Sequence, residues 1–223
     1  MLIPDDLRTA IAKYTSKINQ KQLIKEANII SRRYRAESGK GKALVTTQNE
    51  VLAYSCVRMP ATYGATYSAL KYSLKELKKT PTTLLDVGAG TGAATWAATN
   101  LQEFRDIICF EREEAMSRLG QQLMKESEGQ LKLARWIQGD ILKSSIKVSA
   151  DLVIASYVFN EMSDKDREAG ILKLWEATNM MLILVEPGTP AGYKGLMQAR
   201  RLLLGHGGHM IAPCPHEDKC PLD

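Results

Sequence analysis

Side chains able to do chemistry fall at three places along this chain of 223 residues. The first is a glycine-rich stretch, "LLDVGAGTGAA", where Gly88, Gly90 and Gly92 alternate behind an acid, Asp86. Glycines at that spacing let a backbone turn tightly and come close to a ligand, with a helix beginning just behind. Two later acids, Glu111 in "CFE" and Asp140 in "QGDI", each follow an apolar run, and carboxylates so placed can accept hydrogen bonds from the hydroxyls or amino group of a nucleoside. The second place is "ASYVFNEM" at 155–162, where Tyr157, Asn160 and Glu161 are polar candidates to hold or deprotonate a reacting group. The third is "IAPCPHEDKCPLD" at 211–223, which holds Cys214 and Cys220, two of only 4 cysteines. Two cysteines beside prolines here belong either to a loose tail or to half of a metal site; thiolates suit zinc and iron–sulfur clusters alike, so two of them do not choose between the metals.

The elements that must position these groups are legible in the periodicity. From Thr80-Pro81 onward, "TTLLDVG", "DIICFE", "KLARWIQGD", "ADLVIASY" and "MMLILVEPG" read as five strands, with helices near 92–101, 113–127 and 163–178 and another over 193–204. Continuous apolar strands alternating with helices predict an α/β, Rossmann-like parallel sheet covered on both faces. In an open parallel sheet the turn after the first strand lies at the carboxyl ends of the strands, where ligands bind. Before Thr80 the texture is helical. Apolar positions Leu7, Ile11, Tyr14 and Ile18, then Leu23, Ala27, Ile30 and Tyr34, predict two helices, and a further stretch from about 48 to 79 is interrupted near Pro60. This divides the chain into a helical region at 1–80, a ligand-binding domain at 81–204 and a cysteine-bearing segment at 205–223.

Two cofactors compete for the glycine turn. Read as Gly88, Gly90 and Ala93 it matches a dinucleotide fingerprint, a weak signal when alone. Read from Asp86 through Gly88, Gly90 and Gly92 it resembles motif I of S-adenosylmethionine (SAM) methyltransferases. SAM carries a sulfonium and an ammonium and no phosphate, so an acid before the first glycine favours SAM. Glu111 would then meet the ribose hydroxyls and Asp140 the adenine amino group, with Ile141 and Ser156 beside them. The 155–162 stretch departs from the N/D-P-P-Y motif that amino-methylating enzymes use. No cysteine near it supports a covalent pyrimidine mechanism.

Charge is unevenly placed. Of 30 Lys/Arg and 25 Asp/Glu, residues 1–80 hold 15 and 6, so the basic excess belongs to the first third. Arg32, Arg33 and Arg35, followed by Lys40 and Lys42, make a cluster that could attract nucleic-acid phosphates or form a solvated helix face with a flexible loop, and charge alone leaves both open. No apolar run approaches a membrane span, and the first residues lack the pattern of a signal peptide or an Arg-rich presequence. A bacterial cytoplasm is the expected location, in preference to a mitochondrion.

Together, "SRRYR" (31–35), "RMPATYGATY" (58–67), "LLDVGAGTG", "ASYVFNEM", "LILVEPGTP" (182–190) and "HMIAPCPHEDKCPL" (209–222) give the chain a resemblance to the ribosomal small-subunit methyltransferase-like proteins of bacteria and mitochondria. The glycine turn is generic to methyltransferases; "RMPATY" and "APCPHEDKCPL" are specific. The resemblance implies a class I SAM fold that methylates small-subunit ribosomal RNA, or a catalytically inactive assembly factor that binds SAM and RNA. It also implies that Cys214 and Cys220 are two of four thiolate ligands of a 4Fe-4S cluster in a longer protein. An alternative sets His206, His209 and His216 with the two cysteines around zinc. A methyltransferase sheet normally closes with two more strands after the fifth, and nothing in 191–223 reads as those strands, so a longer protein is expected on this ground too.

Overall fold

The computed structural model describes residues 3–37, 44–144, 146–220 and 222. Four helices come first: α1 (Asp5–Thr15), α2 (Gln20–Glu37), α3 (Gln48–Val57) and α4 (Met59–Ser73). The interruption expected near Pro60 falls at Arg58. Proline cannot donate a helical hydrogen bond, so it sits in the first turn of α4, where that donor is not needed. The start of α3 is fixed by a reciprocal cap in which Thr47 Oγ1 accepts from the Glu50 amide and the Glu50 carboxylate accepts from the Thr47 amide.

Five strands follow: β1 (Thr83–Val87), β2 (Asp106–Glu111), β3 (Arg135–Gln138), β4 (Ala150–Ser156) and β5 (Thr178–Val185). They form one sheet in the order β3-β2-β1-β4-β5, parallel throughout. Between and after them lie α5 (Ala93–Thr99), α6 (Glu114–Lys125), α7 (Asp164–Glu176) and α8 (Pro190–Gly205). The α/β parallel sheet expected from the strand–helix alternation is therefore present. The third strand is shorter than its apolar run, because residues Gln130–Leu133 form a 3-10 turn.

Both faces of the sheet are covered. Successive strand residues point to opposite sides, so Leu84, Ile107, Cys109, Leu152 and Ile154 pack on one face with Met59, Tyr63, Leu70 and Trp96. Leu85, Val87, Ile108, Phe110 and Val153 pack on the other with Ile171, Leu174 and Ala199 from α7 and α8. The amino-terminal helices share the first of these clusters with the sheet: Leu7, Ile11, Ile30 and Val51 are buried in it. Their roofing of the sheet brings α2 and α3 over the carboxyl ends of the strands.

Among the described residues no helix is long and apolar enough to cross a membrane.

Candidate cofactor and RNA site

A cleft opens over the carboxyl ends of β1, β2, β3 and β4. Its floor is the glycine turn, with Gly88 and Gly90 on the wall. Gly88, Gly90 and Gly92 all have positive φ, at 69°, 58° and 87°. An added Cβ at Gly88 would lie 2.4 Å from Val158 Cγ2, a stiff β-branched neighbour, so no other residue fits without displacement. At Gly90 the added atom would face Met116 Cε at 3.4 Å and Tyr54 Oη at 4.0 Å, both side chains of the cleft wall, so this glycine keeps open the space that a ligand would take. Gly92 faces Met124 instead and does not line the cleft.

The three sequence-predicted acids part company here. Glu111 ends β2 on the cleft wall, its Oε2 accepting from Gly90 N at 2.6 Å and its Oε1 from Glu113 N at 2.8 Å. Burial pushes its carboxyl upward while these amides pull it back, and the net shift is upward. Asp140 also lines the cleft; its Oδ1 accepts from Leu142 N at 2.9 Å and its Oδ2 lies 3.7 Å from the exposed Lys143. Asp86 is elsewhere. Strand alternation turns it toward α5, behind the glycine turn, where its Oδ2 accepts from Thr95 Oγ1 at 2.7 Å and Thr95 N at 3.1 Å. Its Oδ1 is buried with no hydrogen-bond partner. Burial raises the carboxyl to about 7, against the two Thr95 bonds, with Glu111 adding repulsion. Its position ties β1 to α5 rather than facing the cleft.

Ile141, Ser156 and Tyr157 line the cleft as well. Ser156 Oγ is 3.0 Å from Thr66 Oγ1 on α4. Tyr157, directly after β4, holds a φ of 62°, a conformation costly for a bulky residue, and its amide donates to Val185 O at 2.7 Å. Its hydroxyl pKa is raised by burial and by the neighbouring Glu186, with Arg58 acting in the opposite sense. Asn160 sits in a 3-10 turn, Phe159–Glu161, and does not line the cleft, whereas Met162 does. The Glu161 side chain lies outside the described residues.

Several cleft residues were not singled out from the sequence. Tyr34 on α2, Leu44 and Val45 after it, and Tyr54 on α3 form the roof. The Arg58 guanidinium stacks on the Tyr34 ring at 3.9 Å, and its Nε is buried without a hydrogen-bond partner. Glu186, after β5, accepts from Phe159 N at 2.9 Å through Oε1, while its Oε2 is buried without a partner. Burial lifts its carboxyl to about 7, with the Phe159 amide and Arg167 opposing. It holds the loop that carries Tyr157 and Asn160. The signal for it was an acid at the end of the fifth apolar run, in "LILVEPGTP".

The basic cluster divides in the same way. Arg33 is committed to the protein: Nη1 donates to Leu44 O at 2.8 Å and Glu50 Oε2 at 3.0 Å, and Nη2 to Glu50 Oε1 at 2.8 Å. Burial alone would raise the Glu50 carboxyl, but Arg33 and the Thr46 donors more than offset it and hold it at about 2. Arg32 and Arg35 are exposed. Lys40 and Lys42 lie outside the described residues.

Cys214 is exposed and Cys220 half-buried, with Tyr193 Oη donating to Cys220 Sγ at 3.3 Å. Arg200 Nη2 holds the segment by donating to His216 O at 2.9 Å and Asp218 O at 2.8 Å. His209 is 2.7 Å from Glu217. Among the described residues no group of three or more His, Cys, Asp or Glu is arranged to hold a metal ion.

Comparison with known proteins bears on these features. The family described as "Mitochondrial small ribosomal subunit Rsm22" matches residues 48–223. The human "Ribosome assembly protein METTL17, mitochondrial" is 34% identical over 186 residues, which is 75% of this chain and 41% of that protein. "Rsm22-cox11 tandem protein 2, mitochondrial" of Schizosaccharomyces pombe is 27% identical over 209 residues, 79% of this chain and 26% of that protein. The chain thus spans less than half the length of these curated relatives. Among solved structures, a putative RNA methyltransferase from Pyrococcus horikoshii aligns at 17% identity and a TM-score of 0.47, covering 82% of this chain and 83% of that one, a likeness too low to bear on function. The mitochondrial relatives overturn the bacterial cytoplasmic location expected from the amino-terminal residues. The lack of a presequence pattern in the first residues was no evidence for a bacterial cytoplasm.

Proposed function

The chain belongs to the mitochondrial small ribosomal subunit Rsm22 family, and on that premise we propose that it binds SAM in the cleft over Gly88 and Gly90 and methylates small-subunit ribosomal RNA. The observation that carries this reading is the convergence of Glu111 and Asp140 on one cleft with the glycine turn. Glu113 adds a third acid to the wall, against Arg112 as a cation. That balance suits a ligand with a sulfonium and an ammonium, and it would repel the pyrophosphate of a dinucleotide.

On this reading the Glu111 carboxylate, already oriented by two backbone amides, accepts from ribose hydroxyls with its remaining lone pairs. Asp140 accepts from the adenine amino group, and Ile141 gives the ring an apolar surface. SAM supplies an electrophilic methyl group, so the protein's task is alignment and exclusion of water. Tyr157, a phenol whose pKa burial shifts further upward, is protonated at neutral pH as an unperturbed tyrosine is, and so serves as a hydrogen-bond donor that positions the acceptor base. Asp86 sets the glycine turn from behind, and Glu186 sets the Tyr157 loop. Arg32 and Arg35 supply phosphate contacts. Cys214 and Cys220 are the thiolates that would serve an iron–sulfur cluster, and among the described residues the pair alone does not make a site.

Calorimetry with SAM tests the cofactor half. Glu111→Ala is expected to lose about 1.5–3 kcal/mol of binding, the range for hydrogen bonds to a charged group; equal affinity in both proteins refutes the assignment. Transfer of a labelled methyl group from SAM to isolated small-subunit RNA tests the activity. A second reading, assembly without catalysis, is favoured by the human relative's name and by Asn160 lying off the cleft. It predicts SAM binding with no label transferred.

A further inference from the structure

At the end of α4 remote from the cleft, the chain carries a second surface that the proposed function does not use. Lys71 and Tyr72 are exposed in the last turn of α4, Lys75 in the 3-10 turn that continues it, and Lys78 and Lys79 in the connection to β1. Tyr72 is 70% exposed, although Leu70 and Ser73 on either side of it are buried. Glu76 is the one acid between positions 71 and 79. All four ammonium groups are free of ion pairs among the described residues. The Tyr72 ring stands largely in water, on a stretch, 71–79, that carries four lysines.

We propose that this end of α4 is a docking site for single-stranded RNA, with a base stacked on Tyr72 and backbone phosphates on Lys71, Lys75, Lys78 and Lys79. Such surfaces combine a positive track for the backbone with an aromatic face that accepts any base. The charge excess selects a polyanion, and the lone ring offers too little apolar area for a protein interface or a bilayer. The inference rests on the RNA reading above but uses different residues. Arg58 at the other end of α4 stacks on Tyr34, on the helix that bears Arg32 and Arg35. The 15 residues of α4 span about 22 Å at 1.5 Å each, so the two basic surfaces are separated by several nucleotides of strand.

Fluorescence anisotropy with a short, labelled, mixed-sequence RNA over a range of salt tests this. Tyr72→Ala should weaken binding about tenfold with an unchanged salt slope, as removal of one stacked base requires, while Tyr72→Phe keeps the affinity. Replacing Lys75, Lys78 and Lys79 with alanine should flatten the slope of log affinity against log salt by about 0.7 for each phosphate ion pair removed. If wild type binds and both variants bind equally well, this site is refuted and the RNA reading stands. If wild type binds no RNA at any salt, both fall. Displacement of the RNA by poly-glutamate of matched charge would assign the surface to an acidic protein and overturn the proposal.

Discussion

The cleft end of the molecule and the far end of α4 lie in opposite electrostatic settings. Acids wall the cleft and stand behind its glycine turn, and their buried carboxylates are held by backbone amides and hydroxyls. Near Ser73 the charges are lysines in open water, with no ion pairs among the described residues. In the first setting a charge is costly to bury and its energy depends on one or two short bonds. In the second, solvent and salt screen each charge, which matters only as part of a sum. Removing one charge should therefore change folding stability at the cleft end and only salt-dependent binding at exposed basic surfaces.

The largest effect is expected at Asp86. Its carboxyl is raised from 3.8 to about 7 in the folded protein, so the native state binds its proton more tightly than the unfolded chain. The stability this confers is fully present below about pH 4 and is lost as pH rises through 7. The full shift corresponds to roughly 4 kcal/mol at 1.36 kcal/mol per unit. Asp86→Asn keeps an acceptor for Thr95 and cannot ionise, so it should match wild type at pH 4 and exceed it progressively toward pH 8. Glu186, also raised to about 7, gives wild type a slope of the same sign, and subtracting the variant's profile isolates Asp86. Parallel denaturant profiles for the two proteins would mean that Asp86 is ionised without penalty and that the contrast between the two ends is wrong at its strongest point.

Next comes Arg33. Glu50 is buried and takes hydrogen bonds from Arg33, Thr46 and Thr47. Arg33→Ala leaves that carboxylate without its counter-ion and loosens the cap of α3. A cost of about 2–3 kcal/mol at neutral pH is expected, below the 3–5 of a fully buried pair because Arg33 is partly exposed. Glu50 is depressed to about 2 in the folded state, so its contribution is present above about pH 4.5 and is lost as pH falls toward 2. Accordingly, Arg33→Ala should cost less at pH 3 than at pH 7. Because the neighbouring Tyr34 roofs the cleft, the variant should also bind SAM less tightly.

Legibility in the sequence follows from the range of the interactions concerned. β1, β2 and β4 were readable because each is a short run buried almost throughout, β3 and β5, only partly buried, from their place in the strand–helix alternation, and the glycine turn because positive φ leaves a glycine in the sequence. Glu111 and Asp140 were readable as cleft acids because strand ends in a parallel sheet share one edge. Asp86 is at a strand end too, but strand alternation turns its side chain to α5, and its partner Thr95 carries no marker. The roof of Tyr34, Leu44, Val45 and Tyr54 comes from packing between helices and sheet far apart in sequence. No local pattern reports that. Arg33 looked equivalent to Arg32 and Arg35 because its acid partner lies 17 residues on.

The smallest effect concerns Arg32 and Arg35. Both are exposed on α2 and form no ion pair among the described residues, so neither desolvation nor a fixed partner amplifies their charge. Arg32→Ala with Arg35→Ala should leave stability within about 0.5 kcal/mol of wild type, as for surface changes away from packed features. In RNA binding the weakening should be similar on every sequence, since phosphates carry no base information. The slope of log affinity against log salt should flatten by about 0.7 for each arginine–phosphate pair removed on a single strand. Arg33→Ala is the control that gives the pair its meaning, since it removes the same charge from the same helix yet should act mainly through folding. If all three single variants flatten the salt slope equally and none alters stability, then Arg33 is a third phosphate ligand, and the contrast between buried, paired charge and exposed, collective charge does not hold on α2.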